Sequence, residues 1–275
     1  NHLRFVGDAH QRIKEDYLRQ LRMIRFISKF GFQVDSETLS AVKTHISGLR
    51  QISRERVTSE LRKILAGSFL NEALLKMNET VMFQEIFSGF PNPTPELCAK
   101  ISKLQSSQFN SQVLFEFRLA YLLTELSISA SRSPVKAFLK SLKLSSDELK
   151  RVSGLMEFLE LPTFQSRDQT MEFLDHLEDC KIPLDYLEHF YLSLQQVSPK
   201  GHWKELADFE MRYSSIRKAR LPITGDDLIK GLNIKPGRDL GAILEGLKRA
   251  FRRGEWSSIE EGISLARAIS ESLKR

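Results

Sequence analysis

Apolar side chains return every three or four positions along nearly the whole chain, which is the period of a helix with one buried face. In the first stretch, Ile13, Tyr17, Leu21, Ile24 and Ile27 form one such stripe. Asp8, with Gln11 three positions later, reads as a helix start with a capping-box partner. Gly31 supplies a residue that takes the left-handed C′ conformation without steric penalty. One helix is therefore predicted from Asp8 to Gly31. Asp35 or Ser36 opens a second helix reaching about Ile46, and Ser53 opens a third through Leu61 and Leu65 to Gly67.

The middle continues as helices divided by punctuation. Pro91-Asn92-Pro93-Thr94-Pro95 is a clear break and a candidate domain joint. Ser111 to Leu126 reads as a buried helix carrying Leu114, Phe115, Leu119 and Leu122. Ser145 and Glu148 form a capping box for a helix ending near Leu161-Pro162. Further helices are predicted over about 167–178, 184–196 and 202–219. After a second break at Leu221-Pro222 come a short helix from Gly225 to Leu232, a longer one from Gly237 to Phe251, and a last one from Ser257 to Leu273. Alternation of period two is nowhere sustained enough to predict a strand, and no fixed repeat is present. The fold class expected is all-α.

Composition narrows the function classes. The chain has 275 residues with 41% hydrophobic and 28% charged side chains, enough for one or two domains with a proper core. Its net charge of +6 is compatible with a polyanionic partner, because Lys and Arg displace counterions from phosphates. Cys98 and Cys180 lie far apart with no Cys/His cluster, so the expectation is two buried thiols in a reducing cytosol and no zinc site. No apolar run is long enough to span a membrane and no leader-like stretch opens the chain, so a cytoplasmic location is expected, with an organelle left open. The six histidines make no His-Asp dipeptide, so no phosphohydrolase-type metal centre is expected and surface or helix-packing roles fit them.

The first helix carries Arg12, Lys14, Asp16, Arg19, Arg22 and Arg25. Asp16 and Arg19 are three apart and so neighbours on a helix surface, with Arg22 and Arg25 continuing a slanting basic row. A solvated face with a modest salt bridge accounts for this pattern. So does a nucleotide site. A carboxylate accepts hydrogen bonds from the exocyclic amine of cytosine or adenine, and a guanidinium donates to ring acceptors. Arginines further along can take phosphates bidentately.

A family resemblance favours the second reading. Gly7-Asp8, Arg12-Ile13, Glu15-Asp16-Tyr17-Leu18-Arg19, Leu21-Arg22, Arg25-Phe26 and Phe30-Gly31-Phe32 resemble the stretch after the catalytic head in class II CCA-adding tRNA nucleotidyltransferases and bacterial poly(A) polymerases. The resemblance implies that Asp16 and Arg19 act as an amino-acid template for CTP and ATP, with Arg22 and Arg25 in nucleotide contact. Ile52-Ser53-Arg54-Glu55-Arg56-Val57, with Glu60-Leu61 and Lys63-Ile64-Leu65, is similar to the next family motif, which puts Glu55 and Arg56 in the role of bracing the template helix. Ile223-Thr224-Gly225-Asp226-Asp227-Leu228, Leu232-Asn233-Ile234-Lys235-Pro236-Gly237, Gly241 and Ile243-Leu244 resemble the family's tail.

Read from its own residues, the helix start at Gly237 offers free N–H groups to a phosphate, with Lys235 and Arg238 assisting. It reads equally as a plain tight loop. Lys248, Arg249, Arg252 and Arg253 suit either RNA backbone or the negative end of the helix dipole. The implied layout is a neck with the nucleotide-selecting helix (1–66), a helical body (67–220) and an RNA-holding helical tail (221–275).

The implied partners are tRNA, nucleoside triphosphates and a catalytic head domain in cis or in trans. Phosphoryl transfer in the family uses magnesium held by a D-x-D pair in a β-rich head, and this sequence has neither that pair nor a glycine-rich phosphate loop. The chain is therefore expected to be a fragment or one half of a split enzyme, without catalytic residues or a metal of its own and inactive alone. Alternatives left open by the sequence are a poly(A) polymerase portion, an A-only or CC-only specialist, a headless RNA-binding protein, and a helical interaction module.

Overall fold

The computed structural model describes residues 2–104, 110–128, 133–158, 164, 166–193, 202–218 and 221–273. The described residues fall into two compact units. Asn1–Thr163 and Asp175–Pro199 form the first, and Phe164–Leu174 and Lys200–Arg275 form the second.

The first unit opens with β1 (His2–Leu3), α1 (Ala9–Glu15) and α2 (Leu18–Phe30), followed by β2 (Gln33–Val34) and α3 (Ser36–Thr44). A 3-10 helix (Ile46–Gln51) leads into α4 (Arg54–Leu65), α5 (Leu70–Glu79), α6 (Met82–Ile86) and α7 (Pro95–Lys103). Then come α8 (Ser111–Ile128), α9 (Ser133–Ser141) and α10 (Ser146–Glu157). After α11 (Arg167–Asp179) and α12 (Leu184–Ser193) the chain continues with α13 (His202–Lys218), α14 (Gly225–Leu232), α15 (Arg238–Arg253) and α16 (Ile259–Ser272). The array is all-α as expected. Its one departure is the pairing of β1 with β2, parallel and two residues long, in a chain where no strand was expected. The pairing is too short to leave any alternation in the sequence.

Local chemistry sets the helix ends. Asp8, Asp35, Ser53, Thr94 and Ser145 each accept a backbone N–H two or three positions into their helices, which satisfies donors the helix itself leaves free. Gly31 ends α2 with φ 68°, the left-handed conformation the sequence anticipates there. The proline-rich segment at 91–95 is a helix start inside the first unit, not a joint between units: Asn78 Nδ2 donates to the Pro93 carbonyl at 2.8 Å, and Pro95 begins α7. The helix after Ser145 stops at Glu157, and the expected end at Leu161-Pro162 lies outside the described residues.

α2 lies against α4 and α5, and α8 packs on α4 and α10. Within this core Arg118 of α8 is wholly buried. Its guanidinium donates to the carbonyls of Leu65 (2.6 Å) and Gly67 (2.8 Å) at the end of α4, and of Leu104 (3.0 Å) and Ser102 (3.2 Å) at the end of α7. One planar cation thus closes two helix C-termini whose last carbonyls have no partner within their own helices. Burial pulls the Arg118 pKa down to about 10, which leaves it charged at neutral pH.

In the second unit, Ile223, Leu228, Ile243, Leu247, Ala250, Trp256 and Ala266 make the core. Trp256 donates its indole N–H to the Leu247 carbonyl at 2.9 Å, so its polar edge is satisfied while its ring stays buried.

Candidate functional site

The helix predicted from Asp8 to Gly31 is two helices. α1 stops at Glu15, and Asp16 is extended (φ −154°, ψ 101°). The Asp16 carboxylate then turns forward and accepts the N–H of Leu18 at 3.1 Å, as a capping side chain does at the first turn of a new helix. Two further cations hold it. Arg56 of α4 approaches both oxygens, at 3.2 and 3.4 Å, and Arg22 stands 3.8 Å away. Tyr17, between the two helices, sits over Gly48, where an added Cβ would come within 2.1 Å of the Tyr17 ring. No larger residue fits beneath that ring.

This break corrects the expected pairing of Asp16 with Arg19. Arg19 donates instead to Glu15 Oε2 at 2.7 Å and to the Arg12 carbonyl. Glu15 also receives Arg12 at 2.6 Å. Hydrogen bonding from Arg19 holds the Glu15 carboxyl below its ordinary range. Asp16 and Arg19 are therefore each fixed by partners of their own, with side chains still about a quarter exposed (26% and 23%).

The other arginines of α2 differ from one another. Arg22 is exposed beside Asp16. Arg25 is engaged on Glu60 of α4 at 3.0 and 3.2 Å and lies 4.8 Å from the centre of the Phe26 ring. Glu60 is itself buried and also receives Lys63 at 3.3 Å. Of the two residues expected to brace the template helix, Arg56 reaches Asp16, while Glu55 is exposed with no ion-pair partner among the described residues. Glu15 and Glu60 hold the arginines instead. The Glu15–Arg19 spacing of four was a signal for the first of these. Nothing local marks the second, because Glu60 meets Arg25 across 35 positions of chain.

In the second unit, Gly237 caps α15 with an extended backbone, and Lys235, Arg238, Lys248 and Arg249 are exposed. Lys248 lies 3.6 Å from Glu245. Gly241 and Ala242, also exposed, lie between Arg238 and the Lys248–Arg249 pair on α15.

The family model for tRNA nucleotidyltransferase domain 2 (putative) matches residues 115–263, more than half of the chain. The chain belongs to the tRNA nucleotidyltransferase family. A second model, described as the probable RNA and SrmB-binding site of polymerase A, matches residues 31–99.

Among curated relatives, the CCA-adding enzyme of Pediococcus pentosaceus is 26% identical over 99% of this chain and 64% of its own length. That of Geobacillus sp. is 30% identical over 94% of this chain and 61% of its own. The chain thus spans under two thirds of the length of these nucleotidyltransferases. A solved structure of the Bacillus stearothermophilus CCA-adding enzyme in complex with CTP matches 99% of this chain and 66% of its own, with a TM-score of 0.60 and 23% identity, a likeness of fold.

The magnesium that the nucleotidyltransferase resemblance implies finds no fitting ligand set. Among the described residues no group of three or more His, Cys, Asp or Glu side chains is placed to hold a metal ion. Asp16 is already engaged by two arginines and a backbone N–H. Cys98 and Cys180 are free thiols, each pushed up to about 11 by burial. No described helix is long and apolar enough to cross a membrane.

Proposed function

We propose that this chain is the nucleotide-selecting and RNA-holding portion of a CCA-adding tRNA nucleotidyltransferase. The observation that carries the reading is the separate fixing of Asp16 and Arg19 at the helix break. A carboxylate held by Arg56 and the Leu18 N–H keeps one lone pair, on Oδ2, for the exocyclic amine of cytosine or adenine. A guanidinium held through one nitrogen, by Glu15 and the Arg12 carbonyl, keeps other N–H groups for the acceptors of the same base edge. An acceptor beside a donor fits cytosine and adenine and opposes the reversed edges of uracil and guanine.

Arg22, the most exposed arginine of the row, is suited to the triphosphate. Arg25 supports the site through Glu60 and through its contact with Phe26. The exposed face of α15, with Lys235, Gly237, Arg238, Lys248 and Arg249, is assigned to tRNA. It would hold the RNA by phosphate contacts, with Gly241 and Ala242 leaving room for a backbone to approach. Transfer itself belongs to a catalytic head domain, in cis or in trans, that binds the magnesium. The chain alone binds CTP and ATP but transfers nothing.

The test joins the chain to a family head domain, supplies a tRNA ending at its discriminator base and follows labelled CTP and ATP on a gel. Ordered addition of two C and one A, lost in Asp16→Ala and in Arg19→Ala, is the expected result. Long A-only tails would move the protein to poly(A) polymerase, a reading favoured by the polymerase A model over residues 31–99. Incorporation that survives both substitutions would end the template assignment.

A further inference from the structure

The helix break that separates Asp16 from Arg19 is held from below by residues 45–48. The His45 ring meets α1: His10 Nδ1 and His45 Nε2 are 3.2 Å apart, with ring planes at 82° and centroids at 5.2 Å. The His45 carbonyl meets α2, where it accepts from Nε2 of the wholly buried Gln20 at 3.2 Å. Three positions further, Gly48 lies under Tyr17, the residue between the two helices. One residue is therefore tied by its ring to the helix before Asp16 and by its backbone to the helix after it. α1 also carries Glu15 and the Arg12 carbonyl, the two groups that hold Arg19.

Two imidazole nitrogens at this distance share a single hydrogen. The contact survives one added proton, since an imidazolium N–H donates well to a neutral ring. It does not survive two, which would set N–H against N–H and two positive charges a few ångströms apart. The charged groups around the pair act on the second proton in opposite senses. Asp8, the N-cap of α1 two positions before His10, is the attracting charge, and Lys14, one turn after His10, is the repelling one. From the flanking elements, Lys43 is turned to Glu79 (3.1 Å) and Arg50 to Glu85 (2.7 Å), while the contact from α2 is the neutral carboxamide of Gln20. Burial, then Lys14 and His10, holds His45 below the ordinary histidine value.

We propose that His10 and His45 are positioning residues, a proton-sensitive clasp that sets the angle of the break and weakens nucleotide binding when both rings are protonated. The effect on nucleotide rests on the base-reading role of Asp16 and Arg19 proposed above, whereas the clasp has a readout of its own. The Leu18 amide donates to Asp16 and reports the break without any ligand.

The experiment follows two signals of the 275-residue chain from about pH 7.5 to about pH 5, the range in which histidine titrates. These are the Leu18 amide resonance, alongside the ring signals of the two histidines, and the dissociation constant for CTP. In the wild type, Leu18 is expected to move with the midpoint of the second imidazole titration. CTP affinity is expected to fall about fivefold across the same range, the size of an ordinary coupling between sites.

His45→Gln keeps a neutral amide in place of Nε2 and should flatten both curves. His10→Asn does the same from the other side if the first variant folds poorly. A Leu18 amide that stays fixed while both rings titrate, or that titrates equally in the variants, overturns the clasp. Wild type that fails to bind CTP at neutral pH sinks the base-reading role alone, and Leu18 then still decides the clasp.

Discussion

Arg56 of α4 donates to both carboxylate oxygens of Asp16, at 3.2 and 3.4 Å, across forty positions of chain. The Arg56 side chain is half exposed, so the pair contributes little to stability, about 0–1 kcal/mol. Its value lies in the direction it gives Asp16. Arg56→Ala is therefore expected to leave the urea midpoint almost unchanged while weakening CTP binding about tenfold, a cost of about 1.4 kcal/mol. Equilibrium unfolding and calorimetric titration on the same preparation check both halves. Unchanged affinity would remove Arg56 from the site.

Gly48 and Tyr17 should behave as a coupled pair. A methyl group at 48 would lie 2.1 Å from Tyr17 Cδ1, so Gly48→Ala must expel the ring and disturb the break above it. A loss of about 1–3 kcal/mol is expected, as for other overpacked positions. The double variant Gly48→Ala/Tyr17→Ala should be more stable than the sum of the two single losses by about 1 kcal/mol, measured as a double-mutant cycle.

Acid should act through Glu148. Burial raises the Glu148 pKa, but the hydrogen bonds from Arg62 and from the Ser145 N–H outweigh it, and the net displacement is downward. A carboxyl with a depressed folded pKa contributes stability that is complete above its unfolded value and lost as pH falls through the folded one. Stability measured by urea at falling pH should therefore drop from about pH 5 downward. Arg62→Met should be less stable at neutral pH by about 3 kcal/mol and should lose less on acidification, because the group that depresses the pKa has gone. A variant with the same acid slope as the wild type would contradict this.

Arg118→Met should be the most damaging of these substitutions. It keeps the length and apolar stem of the side chain but removes every donor from the carbonyls of Leu65, Gly67, Ser102 and Leu104. Each buried acceptor left alone costs about 1–3 kcal/mol, so the first unit should unfold at much lower denaturant or fail to fold. Circular dichroism across a urea series would register the change.

Helix ends written in local chemistry were legible in the sequence. Asp8, Ser53 and Ser145 cap where they were expected to, and Gly31 stops α2. What was illegible depends on distant residues. Ile13, Tyr17, Leu21, Ile24 and Ile27 keep helical spacing straight through position 16, with no Gly or Pro to announce a break. The break is set by Arg56 and Gly48, both more than thirty positions away. For the same reason Arg19 was assigned to the wrong carboxylate. Arg118 stands in a run of apolar residues, and only the meeting of α4, α7 and α8 shows what a charge does there. The resemblance to the nucleotidyltransferases was legible because its motifs are short and ordered along the chain. The partners that hold each motif residue were not.

The guanidinium of Arg118 also imposes an order on manufacture. Chains are made from the N-terminus, so α1 to α7 are synthesised before α8. Until then the carbonyls ending α4 and α7 can be satisfied only by water, and the apolar surface around them stays open. The helices that carry Asp16 and Arg19 cannot close their own core. They await a cation translated fifty residues after the helix end it completes. A chain halted between α7 and residue 118 therefore holds two helix ends without the donor that joins them.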